Sequence, residues 1–263
     1  MSAAKPRMYS GFHAVRAMLR HRPEAVLELF VLDRRAERGD PRLEELCEQA
    51  EPLGISVQRA RQAVLERHAG PGHQGVVARA RPLRPGDERA LLKRVEGLRR
   101  PLVLALDGVM DPHNLGACLR SADGAGVDAV ILPRRHACGL TPVACRTAVG
   151  AAESVPCFEV EGLPGVLGAL ADQGLTIVGT ARGEGSVRLP ALDVAPPLVV
   201  VMGAEDRGLR PAVRRRCQQL VEIPMAGEVE SLNVSVATGV VLYGIQSKWT
   251  PAAGQSGPEH MDA

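Results

Sequence analysis

The sequence predicts an α/β protein: a mostly parallel sheet with helices on both faces in its second part, preceded by a smaller α/β unit. Three observations carry this. Segments 102–106, 128–132, 176–180 and 198–202 are near-continuous apolar runs, the pattern of strands buried on both faces. Helical patterns separate most of them, as parallel connections require. Charge also divides the chain. Residues 1–100 hold 20 Lys and Arg against 13 Asp and Glu, and residues 101–263 hold 12 against 17. A basic module joined to an acidic one suggests a part that grips nucleic acid.

The elements follow in order. Residues 10–22 read as a helix with Val15, Met18 and Leu19 on one face. A strand over 27–33 precedes a helix over 41–54, which Gly54 can end. A short strand at 55–58, a helix at 61–70 stopped by Gly70-Pro71, and a strand at 73–80 complete a unit spanning 6–81. Residues 81–86 form a Pro/Gly-bearing connector, and 87–98 a helix, so 82–99 links the two parts. The second part, 100–249, opens with a strand at 101–107, a loop at 108–113 and a helix at 114–126. Strands at 127–133 and 154–160 flank a helix near 141–149. A helix at 163–174, strands at 175–181 and 197–203, a helix from about 210, a strand at 219–225 and a long helix from about 233 follow. Residues 250–263 are polar and turn-rich, the pattern of a loose tail.

A chain of 263 residues buries enough apolar surface to fold without staples. Its six cysteines (Cys47, Cys118, Cys138, Cys145, Cys157, Cys217) show no paired spacing, so reduced thiols and no metal are expected. No apolar run reaches membrane length, and the opening MSAAKPRMYSG has no signal-like apolar core. A cytoplasmic protein is expected. With one Trp, two Tyr and three Phe, binding of single strands mainly by aromatic stacking is disfavoured. Arginine accounts for 29 of the 32 basic residues and suits phosphate forks better than lysine. A GC-rich genome gives the same bias.

Open parallel sheets bind ligands beyond the carboxyl ends of their strands. Neither G-x-G-x-x-G nor a P-loop follows any strand, which argues against a nicotinamide oxidoreductase or a P-loop NTPase. After the first strand of the second part comes Asp107-Gly108-Val109-Met110-Asp111-Pro112-His113-Asn114-Leu115-Gly116, then Arg120. Asn114 occupies an N-cap position. Arg120 lies off the Leu115, Leu119, Ala122 stripe, and its side chain leans back toward the loop. After strand 198–202 comes Gly203-Ala204-Glu205-Asp206-Arg207-Gly208-Leu209, whose glycines permit close backbone approach to a ligand. After strand 219–223 comes Ile223-Pro224-Met225-Ala226-Gly227, then Ser231-Leu232-Asn233-Val234-Ser235. Ser231 or Asn233 can cap the last helix, a role compatible with ligand contact. Read one at a time, each segment is equally well a plain turn or cap.

Together, N-x-G-x-x-x-R, G-x-E-x-x-G-L and I-P-M…S-L-N-V-S-V-A resemble the three motifs of the SpoU (TrmH-like) RNA ribose 2′-O-methyltransferases over roughly 100–247. Gly11-Phe12-His13-Ala14-Val15, His73-Gln74-Gly75-Val76-Val77-Ala78 and Gly150-Ala151-Ala152-Glu153-Ser154-Val155-Pro156 are similar to the type that modifies a guanosine of bacterial 23S rRNA. Asp206-Arg207 departs from the smaller or uncharged residues more usual inside the second motif. The resemblance implies a deep trefoil knot in the second domain and a ribosomal-protein L30e-like RNA-binding domain ahead of it. It implies S-adenosylmethionine as cofactor, held largely through backbone groups by Gly203, Ile223 and Leu232, with Thr180, Met225 and Asn233 alongside. It implies a reaction site of Asn114, Arg120, Glu205, Ser231 and Asn233, and a homodimer in which one subunit completes the other's site. Arg120 would bind phosphate and steady the emerging oxyanion, while phosphate, Glu205 or water takes the proton. A tRNA methyltransferase and a non-catalytic assembly factor are the alternatives.

Overall fold

The computed structural model describes residues 5–249; the expected tail at 250–263 lies outside them. In chain order the elements are β1 (Arg7–Ser10), α1 (Phe12–His21), β2 (Val26–Leu32), α2 (Asp33–Ala36), α3 (Pro41–Ala50), β3 (Ser56–Ala60), α4 (Gln62–Ala69), β4 (Val76–Ala80) and α5 (Glu88–Glu96). Then come β5 (Leu102–Asp107), α6 (Pro112–Gly124), β6 (Ala129–Pro133), α7 (Pro142–Thr147), α8 (Ala151–Ser154), β7 (Cys157–Val160), α9 (Leu163–Asp172), β8 (Thr176–Thr180) and β9 (Ser186–Arg188). β10 (Leu198–Gly203), α10 (Pro211–Arg214), β11 (Gln219–Glu222) and α11 (Val234–Gln246) close the order.

The first four strands form a sheet in the order β1-β4-β2-β3. β4 runs antiparallel to both neighbours, and β3 parallel to β2. The other seven form a sheet in the order β7-β6-β5-β10-β8-β11-β9, parallel at every pairing. Its apolar runs are sorted by strand alternation. Leu102, Leu104, Leu106, Leu198, Val200 and Met202 join the core cluster beneath α6 and α11. Val103, Ala105, Val199 and Val201 join the cluster on the opposite face, with α5 and α9. Side chains of period two pointing into two cores explain why Leu102–Leu106 and Leu198–Met202 carry no polar position.

The first sheet is tied to the second. Arg22 donates from Nε and Nη2 to the two carboxylate oxygens of Glu153, at 3.0 and 2.9 Å, with the Glu153 side chain only 4% exposed. A fork-to-fork pair out of water is the strong form of this contact. Gln74 Oε1 accepts from the Phe12 N–H at 3.0 Å, joining two of the N-terminal motifs at the start of α1. The connector is pinned as well: Gly86 N–H donates to the Cys157 carbonyl and Glu159 N–H to the Gly86 carbonyl, both at 2.8 Å.

Two sequence expectations change. α6 begins at Pro112 and is capped by Asp111, whose Oδ1 accepts from the His113 N–H at 2.9 Å. Asn114 is therefore not the cap. Proline is favoured at the first helical position, where its missing donor costs nothing, and this moves the helix start two residues upstream. The strand expected at 154–160 begins only at Cys157, because Ala151–Ser154 form the short α8.

Candidate active site at the carboxyl ends of the parallel strands

The strand ends of β5, β10, β8 and β11 lie side by side, and the three motif loops leave from them. Asp107 ends β5 with its side chain fully buried. Its two oxygens accept from the Arg210 backbone N–H at 2.9 Å and from Arg210 Nε at 2.6 Å. This clamp joins the first motif loop to the far end of the second, a span of 103 residues. A buried carboxylate without such donors would cost several kcal/mol. Only its position at the end of an apolar strand marks Asp107 in the sequence.

The turn after β10 closes on itself. Ala204 and Gly208 exchange backbone hydrogen bonds at 3.2 and 2.8 Å. An added Cβ at Gly203 would stand 2.3 Å from the Gly208 carbonyl carbon, so only glycine fits. Thr180 Oγ1 accepts from the Gly203 N–H at 3.3 Å and donates to the Val201 carbonyl at 3.2 Å, fastening the end of β8 to the end of β10.

Within this frame three side chains distant in sequence meet. Glu205 Oε1 accepts from Asn114 Nδ2 at 3.3 Å, from the Val234 N–H at 2.9 Å and from Asn233 Nδ2. Asn233 Nδ2 also donates to Asn114 Oδ1 at 2.9 Å. Asn233 Oδ1 meanwhile caps α11 by accepting from the Ser235 N–H at 2.9 Å. Cap and site roles fall on opposite ends of one amide. Moving the α6 cap to Asp111 leaves the Asn114 amide free to join the cluster.

Beside this cluster opens a cavity of about 320 Å³. Its lining includes the predicted Thr180, Gly203, Glu205, Ile223, Met225, Ser231 and Leu232. Arg182 and Glu222 line it too and were not expected from the motifs. Arg182 donates to the Glu230 carbonyl, and Glu222 accepts from the Gly183 N–H at 3.3 Å, so both brace the rim.

Arg120 stands apart. It lies six residues beyond Asn114 on α6, about 240° around the axis. It is exposed, and no hydrogen bond or ion pair holds it among the described residues. One helical heptad earlier on its flank is His113, whose ring meets Thr147 of α7 at 3.4 Å. Gly116, one turn earlier, lets α6 approach α7; a Cβ there would be 2.5 Å from the Ala144 carbonyl oxygen. The lean of Arg120 toward the loop therefore does not bring it to the Glu205 cluster of its own chain. Cys118, on the α11 side, contacts Thr238 Oγ1 at 3.4 Å, and burial pushes its thiol up to about 11. It stays protonated and is no nucleophile.

A wholly parallel sheet with a glycine-cradled cavity and a polar cluster at its carboxyl ends, joined to a small basic α/β unit, is the architecture of an α/β enzyme with a separate recognition unit. Comparison with known proteins is specific. The SpoU rRNA methylase family model matches residues 101–243, and a model for RNA 2′-O ribose methyltransferase substrate binding matches 10–86. The chain belongs to the SpoU rRNA methylase family. It is 47% identical over 237 residues to the 23S rRNA (guanosine-2′-O-)-methyltransferase RlmB of Photobacterium profundum, covering 90% of this chain and 95% of that one. It is 46% identical to the enzyme of that name from Escherichia coli K12, covering 90% and 96%. Among solved structures, the SpoU methyltransferase AviRb from Streptomyces viridochromogenes, crystallised with AdoMet, superposes with a TM-score of 0.76 at 23% identity, covering 94% of this chain and 91% of that one. Among the described residues no helix is long and apolar enough to cross a membrane.

Proposed function

We propose that the chain transfers a methyl group from S-adenosylmethionine to the ribose 2′-oxygen of a guanosine in 23S rRNA. The observation that carries this is the Asn114–Glu205–Asn233 cluster against the wall of a cavity lined by Gly203, Ile223 and Leu232. The relatives that share the chain nearly end to end are named for this reaction.

The cavity suits the cofactor. Ile223, Leu232 and Met225 give it apolar walls for an adenine ring, and Gly203 lets the backbone approach. Ser231 adds an exposed hydroxyl, and Glu222 a carboxylate, at its edge. When bound, S-adenosylmethionine supplies a methyl group already activated by its sulfonium. The chain's own task is to align the sugar hydroxyl and remove its proton. Alignment of this kind contributes on the order of 7–11 kcal/mol in favourable systems. Glu205 is built as the acceptor. Its Oε1 is occupied by three donors, which leaves Oε2, without a hydrogen-bond partner among the described residues, as the oxygen open to the sugar hydroxyl. Asn114 and Asn233 hold the carboxylate in one orientation.

Asn233→Ala removes both the cap and one of those donors. It is expected to cost about 1 kcal/mol of stability through the cap and to weaken both cofactor binding and turnover. Calorimetric affinity equal to wild type would count against the cofactor role of Asn233.

In this reading residues 6–81 bind RNA, 82–99 connect and 100–249 carry the transferase. The enzyme works as a cytoplasmic homodimer, with Arg120 serving the site of the partner copy. Exposed Val236, Val240 and Tyr243 on one face of α11 suit a subunit contact. The segment 189–194 clasps the end of α11: Lys248 Nζ donates to the Leu189 carbonyl at 3.0 Å and Trp249 Nε1 to the Val194 carbonyl at 2.7 Å.

Mass-spectrometric mapping of ribose methylation in rRNA and tRNA from a strain lacking the protein tests the reaction. Loss of one 2′-O-methylguanosine from 23S rRNA is expected. RNA affinity should also fall steeply between low and physiological salt, because basic residues of the first unit displace counterions from phosphates. A flat salt response of the filter-binding constant would remove RNA as the partner of that unit.

A further inference from the structure

A second cavity, of about 560 Å³, lies on the other side of the Glu205 cluster. Ala204, Glu205, Gly208 and Val234 line both cavities, so the two share one wall, and Asn114 faces the second. A ribose held at that seam, with its 2′-oxygen toward the cofactor side, has the second cavity beside it as a space for its base. We propose that the second cavity receives the base of the nucleotide being methylated, and that Asp206 with Arg207 reads its Watson–Crick edge as guanine. This rests on the ribose methyltransferase reading.

The chemistry of the walls fits a base pulled out of its stack. Such a base needs an apolar face and a polar edge reader. None of the residues lining this cavity is Phe, Tyr or Trp. Met110 lines it and is 65% exposed, on a loop whose neighbour Val109 is buried. A thioether is a good partner for an aromatic face, and this explains a large apolar side chain left in water.

The edge reader is a carboxylate beside a guanidinium. Asp206 Oδ2 accepts from Arg207 Nε at 3.3 Å, and both side chains are largely exposed, 71% and 84%. An exposed pair of this kind contributes little to stability; what singles this one out is that both of its side chains line the second cavity. The Arg207 hydrogen bond holds the Asp206 carboxyl below the usual range, and an aspartate is in any case ionised, and so an acceptor, at neutral pH. Guanine alone among the four bases presents two adjacent donors, N1–H and N2–H, next to a carbonyl, O6. The carboxylate takes the two donors and the guanidinium donates to O6. Adenine offers one donor to the carboxylate and no carbonyl to the guanidinium.

The test uses the full chain and an in vitro 23S rRNA transcript. The methylated guanosine is mapped, and that single nucleotide is then changed to adenosine or, by ligation of a synthetic segment, to inosine. Wild type is expected to prefer guanosine over both. Asp206→Asn, which puts an amide donor where an acceptor is needed, is expected to narrow that preference by between about fivefold and about a hundredfold. S-adenosylmethionine affinity by calorimetry should be unchanged in that variant. Arg207→Ala is expected to narrow the preference over adenosine but not over inosine, which keeps O6. A wild type indifferent to the base, or an Asp206→Asn variant with the full preference, overturns the inference while leaving the transferase reading intact. No transfer to any RNA by wild type removes both.

Discussion

Arg120→Ala is expected to lose methyl transfer by about a hundred- to a thousandfold, the range seen when one preorganised donor to a developing oxyanion is removed, with S-adenosylmethionine affinity nearly unchanged. The two halves of this expectation have separate physical origins. The guanidinium is a fixed cation at neutral pH, so in the proposed reaction its part is to bind phosphate and steady negative charge on the sugar oxygen. Affinity for the cofactor is spared because Arg120 touches none of the cavity wall and lies on the α7 flank of α6. That same position makes a sharper experiment possible. If the guanidinium serves the partner's site, Arg120→Ala mixed with Glu205→Gln reconstitutes one working site in each mixed dimer. Random reassociation of a two-fold dimer then returns about a quarter of wild-type activity. Gln at position 205 keeps an oxygen for the donors of Asn114, Asn233 and Val234, so the second variant loses the carboxylate and not the loop. A mixture no more active than its parents would assign Arg120 to its own chain, and full activity of Arg120→Ala alone would take it out of the chemistry.

Part of this site can be read from the sequence, and the rest depends on the fold. β5 and β10 declare themselves because every residue of Leu102–Leu106 and Leu198–Met202 enters one of two cores. The loops that follow are therefore found by their neighbours. Glu205, Asn114 and Asn233 were expected together only through resemblance to a family, since no local pattern brings positions 91 and 119 residues apart to one point. The start of α6 is ambiguous in the sequence because Asp111 and Asn114 are both good caps, and Pro112 between them is the deciding signal. β1 and β9 leave no pattern in the sequence for a simpler reason: Arg7–Ser10 and Ser186–Arg188 are short, mixed in polarity and set at sheet edges, where neighbours impose little pattern. Whether Arg120 points to Glu205 depends on which flank of α6 meets α7 and which meets α11. Gly116 and Cys118 settle that by close packing, a tertiary fact absent from helical periodicity alone. The Asp107–Arg210 clamp is of the same kind.

Gly203→Ala is expected to weaken S-adenosylmethionine binding by about a hundredfold, with turnover falling at least as far. The new methyl carbon would meet the Gly208 carbonyl carbon at 2.3 Å and the Leu209 nitrogen at 2.6 Å. Both are backbone atoms of a turn closed by the Ala204–Gly208 hydrogen bonds, so no side chain can rotate away. Overpacking of a fixed wall costs typically 1–3 kcal/mol, which is about five- to more than a hundredfold in an equilibrium constant. The upper end applies here because relief means opening the turn, and the turn carries Glu205 and contributes Ala204 and Gly208 to the cavity. Its far anchor, Arg210 on Asp107, resists the shift. Gly227→Ala is the matched control: it lies in the third motif loop, and a Cβ there meets nothing within 4 Å. Calorimetry on the two variants separates a cradle from a generic loss of glycine. Equal affinity in both would mean that the second motif does not hold the cofactor, and a loss in Gly227→Ala as large as in Gly203→Ala would mean that loop freedom, and not close approach, is what the glycines supply.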